Sequence, residues 1–354
     1  MTTLVVPAAG LSTRYGLTRP KFLLQHPFGK TMLTNAIVGL GDLSEMGIKT
    51  VHIITLSDFF QDISVAKLND EISEQIGLPV IIDMLDKPTT SMVETLCIGL
   101  SKFESDGSFI VKDCDNKISF NEELMPNSGN AITFIDLAHY PNVVASNKSF
   151  LKFSYGGILE NIVEKKIISS LVNVGCVRFE SLSDFLSAAK SINSYGEIYV
   201  SDVVRVMLAE GAIFSGVQAS EFEDWGTLTE WRSFTNTFKT YFIDIDGIVV
   251  SNENPLSISG GWSRFKPIQQ NIDALLEIQS FQRSKMIFTT ARSEDFRPEV
   301  QQELEGVGFV EFELLMGLPH AGRVLINDFA PTNPYPSATA INLPRDTNNL
   351  REYL

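Results

Sequence analysis

The sequence predicts an α/β protein in two parts: a mixed, mostly parallel sheet domain over residues 1–236, then a doubly wound domain over residues 240–354. Three observations lead there. Short apolar runs alternate with amphipathic stretches, the pattern of βαβ units. The chain has 354 residues, more than one hydrophobic core comfortably serves. A polar interval at residues 234–239 separates two such alternating series and marks the expected domain boundary.

The first series opens with a strand-like run at residues 4–8, a helical stretch at 32–43, a strand at 51–56 and a helix running to Ile76. A strand at 80–82, a helix at 91–100 and a strand at 109–111 continue it. Runs at 131–135, 150–153 and 174–179 follow without a clear helix until 182–192, which predicts antiparallel additions to the sheet. The second series reads strand 241–244, helix 268–279, strand 286–289, helix 298–304, strand 324–327 and a closing helix near Asn348. Little room is left between Asp246 and Thr290 for a large cap; residues 255–266, with Gly260, Gly261, Trp262 and Arg264, read as an access-shaping or surface loop.

Charge narrows the function. There are 43 acidic against 28 basic residues, a formal net charge of −15, which disfavours nucleic acid and anionic membrane surfaces as partners. A phosphorylated small molecule requires a few Lys or Arg and a divalent cation focused in one pocket. Cys97, Cys114 and Cys176 lack the short paired spacing of a zinc or dithiol site, so a reduced, cytoplasmic protein is expected. No window has the length of a membrane span, no targeting segment is evident, and a homo-oligomer is left open.

Two constellations carry chemistry. In the first, the opening strand runs into Ala8, Ala9, Gly10 and Ser12, then Arg14 and Lys21. Small residues at a strand end let backbone amides approach a phosphate, and the two cations would bracket it. Neither the Rossmann fingerprint nor the Walker loop fits. The run 109–115 is an apolar strand delivering Asp113 and Asp115 at its carboxyl end, where open α/β sheets place ligands and hard oxygens suit Mg²⁺.

This set resembles the signature of the nucleotidyltransferases that attach NMP to sugar phosphates, Ala-Ala-Gly-x-Gly-x-Arg followed by Pro-Lys, with Ser12 standing where that family usually carries a second glycine. The segment Asp224-Trp225-Gly226-Thr227 resembles the one that supplies the family's second metal ligand. The stretch 90–95 with Glu94 resembles its base- or ribose-contacting segment; Glu164 and Lys165, and Glu197 with Ser201, resemble its acceptor-binding segments. The resemblance implies transfer of NMP from an NTP, with CTP mildly preferred, to a phosphorylated sugar or polyol, releasing pyrophosphate in line without a covalent intermediate. Asp113, Asp115 and Asp224 are its implied magnesium ligands. A metal-dependent glycosyltransferase on the same sheet is the rival reading, against which Arg14 and Lys21 argue.

The second constellation is Asp244-Ile245-Asp246-Gly247 at the end of an apolar strand. It resembles the first motif of the haloacid dehalogenase superfamily, in which the first Asp attacks phosphorus and the second handles the leaving-group proton. Thr290 resembles that family's phosphate-binding residue and Asp328 its acidic metal ligand, which with Asp244 would hold Mg²⁺. The usual phosphate-neutralising Lys has no clear counterpart; Arg323 and Lys285 are the candidates. The implied activity is phosphomonoester hydrolysis beside the transferase step, suited to surface polysaccharide precursors, or an inert regulatory domain. His26, His52, His139 and His320 read as structural, and Trp225, Trp231 and Trp262 as packing residues.

Overall fold

The computed structural model describes residues 2–12, 20–103, 106–121, 125–193, 196–252, 254, 256, 264–281, 283–328 and 337–354. Arg14 and the Gly260, Gly261, Trp262 segment therefore lie outside the described residues. The chain divides into two compact units, Met1–Trp231 and Arg232–Leu354, so the division falls ahead of the polar interval at residues 234–239.

In the first unit the strands are β1 (Thr2–Ala8), β2 (Ile48–Leu56), β3 (Val80–Leu85), β4 (Phe109–Lys112), β5 (Asn116–Ser119), β6 (Asn130–Asp136), β7 (Ser149–Phe153), β8 (Leu159–Glu164), β9 (Leu171–Phe179), β10 (Phe214–Gln218) and β11 (Glu221–Asp224). Its helices are α1 (Met32–Val38), α2 (Val65–Ile76), α3 (Met92–Leu100), α4 (Leu182–Ser191) and α5 (Val200–Ala209), and α6 (Leu228–Thr235) carries the chain into the second unit. The main sheet runs β10-β6-β9-β4-β1-β2-β3, with β7 and β8 added beside β9. Parallel pairing links β3, β2, β1 and β4, and β9 enters antiparallel between β4 and β6.

A central strand covered on both faces has to be apolar throughout. Leu4, Val5 and Val6 of β1 are all fully buried. Because side chains alternate, Leu4, Val6 and Ala8 enter one core cluster while Val5 and the following Ala9 enter the other. Helix starts are fixed by side-chain caps: Thr31 accepts from Thr34 N–H, Ser64 from Lys67, Ser91 from Glu94 and Ser181 from Asp184. A separate antiparallel pair, β5 with β11, sits off the main sheet. The four-residue β5, together with β8, α5, β10 and β11, is not among the elements expected from the sequence.

The second unit contains β12 (Lys239–Asp244), α7 (Gln269–Ser280), β13 (Ser284–Thr289), α8 (Arg297–Gly306) and β14 (Phe312–Leu315), and its sheet β12-β13-β14 is parallel. The expected strand at 324–327 is a correction. Those residues carry no strand, and Val324 and Ile326 are 83% and 89% exposed. The third strand is β14 instead. An apolar run becomes a strand only where a sheet edge receives it, and among the described residues β12 pairs with β13 alone. The closing helix is a single 3₁₀ turn at Leu350–Tyr353, tied down by Leu350 N–H donating to Asn271 Oδ1 at 3.1 Å.

Candidate active site

The carboxyl end of β1 opens a cleft of about 340 Å³, within the size range of small-molecule sites. Ala8 and Ala9 are buried beneath it, and a Cβ on Gly10 would meet nothing within 4 Å, so the loop backbone faces open space there. Ser12 has φ 53°, a left-handed conformation that glycine adopts freely and serine at a cost of about 1 kcal/mol. Its hydroxyl accepts from the Lys21 N–H at 3.0 Å, fixing the position of the lysine. Phe22, 1% exposed, anchors the 3₁₀ turn that Lys21 begins. The Lys21 ammonium donates to Gly226 O at 2.8 Å and pairs with the Asp115 carboxylate.

Two long-range contacts assemble the acidic side. Asp113 N–H donates to Gly175 O at 2.8 Å; Gly175 has φ 77°, and a Cβ there would collide with the Asp113 carboxylate. The β5–β11 ladder pairs Asn116 with Asp224, and Trp225 N–H donates to Asp115 O at 2.9 Å, so the distant acid is drawn beside Asp115. Gly226 lies between them: a Cβ on it would sit 3.1 Å from Asp224 Oδ1 and 3.6 Å from Asp115 Oδ2. Both carboxylates thus border one small space. Asp224 pairs in turn with Lys148.

Burial raises the pKa of Asp115, but the charge and hydrogen bond of Lys21, helped by Lys148 and Lys112, outweigh it and hold the carboxyl below its ordinary value. Asp113 goes the other way: burial and then the Asp115 charge push it up to about 7. Lys112 is fully buried, and its ammonium donates to Asp113 O at 2.7 Å and Asn116 O at 3.0 Å, closing the turn that carries both acids.

Magnesium was expected on Asp113, Asp115 and Asp224. No three carboxylate, imidazole or thiol groups converge as a metal cage among the described residues. The space bordered by Asp115 and Asp224 nonetheless fits a hard cation that takes one or two protein carboxylates and completes its shell with water and phosphate. Asp113, pressed against Gly175, is the less suited of the adjacent pair.

Of the other expected nucleotide contacts, Glu94 does not line the cleft. Its carboxylate accepts from Thr90 N–H and Thr90 Oγ1, both at 2.6 Å, which closes the start of α3. The expected acceptor residues form two adjoining sets. Ser201 Oγ donates to Glu164 Oε2 at 2.8 Å. Lys165 donates to Tyr199 OH at 2.6 Å, which donates to Glu197 Oε2 at 2.7 Å, and Glu197 lines the cleft. His26 packs on Trp225 at 4.9 Å between centroids, and both are buried packing residues.

The second unit assembles differently. Asp244 pairs in register with Thr289 at the ends of β12 and β13. Burial and then the Asp246 charge raise its pKa, against the positive charge of Arg323, Arg345 and His320. Asp246 is held by Arg292, whose Nε and Nη2 donate to Oδ1 at 3.0 and 2.7 Å, and by Thr290 Oγ1 donating to Oδ2 at 2.7 Å. That grip fixes the orientation of the Asp246 side chain and occupies the Thr290 hydroxyl expected on phosphate. Arg323 donates to the carbonyls of Pro319 at 3.1 Å and Ala321 at 2.7 Å. Lys285 lies at the opposite end of β13 and pairs with Glu313 at 2.6 Å. Asp328, exposed in the segment that forms no strand, does not join Asp244 in a metal site among the described residues.

No protein-family model matches the chain. The bifunctional protein GlmU of Mycobacterium tuberculosis is 26% identical over 246 residues, 63% of this chain and 46% of the relative. GlmU of Mycobacterium ulcerans is 26% identical over 235 residues, 60% and 44%. The chain spans less than half the length of these curated relatives. Among solved structures, a nucleoside-diphosphate-sugar pyrophosphorylase from Vibrio cholerae superposes with a TM-score of 0.54 at 20% identity, covering 65% of this chain and 98% of that one. An inositol-1-phosphate CTP transferase from T. maritima gives 0.51 at 13% identity, covering 64% and 90%. The chain carries a nucleotidyltransferase fold.

Within the nucleotidyltransferase fold, sequence reasoning missed Lys148 and Lys112. Neither sits in a recognisable motif, because each acts through a neighbour that the fold supplies. Arg292, three residues past the strand expected at 286–289, has no role in the sequence reading. Its two-residue spacing from Thr290 was the one available sign that both side chains reach the same carboxylate.

Proposed function

We propose that the first unit transfers an NMP group from an NTP to a phosphorylated sugar or polyol and releases pyrophosphate. The observation that carries this is that Lys21, Asp115 and Gly226 line a cleft floored by the Ala8–Gly10 loop, with Asp224 behind them across Gly226 from Asp115. The acceptor phosphate oxygen attacks the α-phosphorus in line, and the barrier falls through positioning and charge neutralisation. Loop amides and Lys21 hold and neutralise the triphosphate, Arg14 is assigned to the departing pyrophosphate, and Glu164, Lys165, Glu197 and Ser201 orient the acceptor. A magnesium ion bound by Asp115 and Asp224 would supply further neutralisation of the polyphosphate.

CTP is the first nucleotide to test, and an activated building block for a surface polysaccharide is the product class we propose. For the second unit, the grip of Arg292 and Thr290 on Asp246 favours an inert regulatory domain over an active phosphomonoesterase. Purified protein offered each of the four NTPs with a panel of phosphosugars and phosphopolyols should release pyrophosphate with one base and one acceptor class. Release from none of them overturns the reading, and turnover of a diphosphate-sugar instead would favour the glycosyltransferase.

A further inference from the structure

Lys148 lies just before β7, outside every motif, and its backbone is fixed on both sides. Its N–H donates to Ala145 O at 3.1 Å, and its carbonyl accepts from Lys165 N–H at 3.0 Å. Its four-carbon side chain is 14% exposed, and its ammonium sits 5.1 Å above the Phe222 ring and pairs with Asp224 Oδ2. The other Asp224 oxygen, Oδ1, accepts from Gly226 N–H at 3.0 Å. Both oxygens of this acid are therefore engaged, and the same is true of Asp115 Oδ2, which Lys21 holds. With two ammonium groups on two carboxylates, the pair is balanced in charge before any cation arrives. A divalent ion reaching Asp224 Oδ2 has to displace Lys148, and a lone cation brings no anion to receive the displaced ammonium.

Resting on the transferase reading above, we propose that Lys148 is a positioning residue that competes with the metal for Asp224, so that the cation enters together with nucleotide and not ahead of it. A triphosphate supplies the anionic oxygens to which the released ammonium turns. A lysine suits this exchange because its charge is compact and its stem flexible, whereas a two-toothed arginine would hold on.

The probe is Mn²⁺, followed by electron paramagnetic resonance on the full chain, first alone and then with the α,β-methylene analogues of the four NTPs. Lys148→Met should bind Mn²⁺ alone about tenfold more tightly than the wild type. That gain should vanish once an analogue is bound, and Lys148→Arg should keep the weak binding of the wild type. Equal Mn²⁺ affinity in wild type and Lys148→Met overturns the proposal. A gain of the same size with and without nucleotide also overturns it, because that is the signature of a lost background charge and not of competition. If no analogue binds, no nucleotide-linked exchange takes place and the proposal is overturned. Lys148→Gln, which retains a donor for Asp224, replaces the Met variant if the latter misfolds. Absence of pyrophosphate release from wild type would sink the transferase reading while leaving the difference in Mn²⁺ affinity to stand or fall by itself.

Discussion

Each unit of this protein ends a strand with two aspartates one residue apart, Asp113 and Asp115 after β4, Asp244 and Asp246 at and after the end of β12, yet the two pairs have different surroundings. In the first, a remote acid, Asp224, is brought beside Asp115 by the β5–β11 ladder, and the countercharges are lysines. In the second, no further acid joins the pair among the described residues, and the countercharge on Asp246 is a buried arginine gripping through two nitrogens with a threonine behind it. Lysine ammonium is a mobile point charge and arginine a rigid fork. The same Asp-x-Asp spelling therefore meets lysines and a remote acid in one unit and, at its second aspartate, an arginine and a threonine in the other.

Removing the remote acid is the most severe way to break the contrast. Asp224→Ala should lower pyrophosphate release by about 1000-fold in a steady-state assay, with Lys21→Ala of similar severity, while the unfolding of the second unit stays where it was. A loss below tenfold would mean that Asp224 is no part of the site. In the second unit the corresponding damage is to stability. Arg292→Met leaves the part-buried Asp246 carboxylate without its countercharge and should cost about 3 kcal/mol in urea unfolding of that unit, with pyrophosphate release unchanged. If the hydrolase alternative held instead, wild-type protein would cleave a phosphomonoester and Asp244→Asn would abolish it.

A subtler test fills the space between the two acids. Gly226→Ala puts a methyl group 3.1 Å from Asp224 Oδ1, tight enough that this carboxylate must shift by a few tenths of an ångström, and in ordinary contact with Asp115 Oδ2 at 3.6 Å. The magnesium concentration for half-maximal pyrophosphate release should rise by about tenfold, or about 1.4 kcal/mol, with the melting temperature nearly unchanged.

What could be read in advance follows from the range of the interactions. The β1, β2 and β4 runs were legible because a sheet strand buried on both faces needs every residue apolar. The Gly10 loop and Lys21 were legible because backbone access to phosphate restricts residue size locally. The placement of Asp224 was legible only through family resemblance, since nothing near it announces that β11 pairs with β5. The apolar spelling of residues 324–327 was misleading for the converse reason: a strand needs a partner edge, which composition does not encode. Glu94 was assigned to nucleotide although Ser91, three residues before it, already spelled a helix cap.

The smallest expected effect concerns the acid that the lysines do not neutralise directly. Asp113 is raised from 3.8 to about 7 by burial and by the Asp115 charge, so the folded chain binds this proton more tightly than the unfolded one. The stability it contributes is fully present below about pH 4 and is lost as pH rises through 7. Asparagine keeps the shape and carries no charge, so Asp113→Asn should match the wild type at pH 4 and exceed it at pH 8. With metal chelated, about 1 kcal/mol is the expected gap, discounted for partial solvent access, measured by thermal unfolding at the two pH values. Mg²⁺ with nucleotide should then shrink the gap at pH 8, because a nearby cation favours the ionised carboxylate. A gap of the same size at both pH values would mean that Asn changes packing against Gly175 and that charge has no part in it. Asp246 in the second unit, held by Arg292 and Thr290, should show no such response to Mg²⁺.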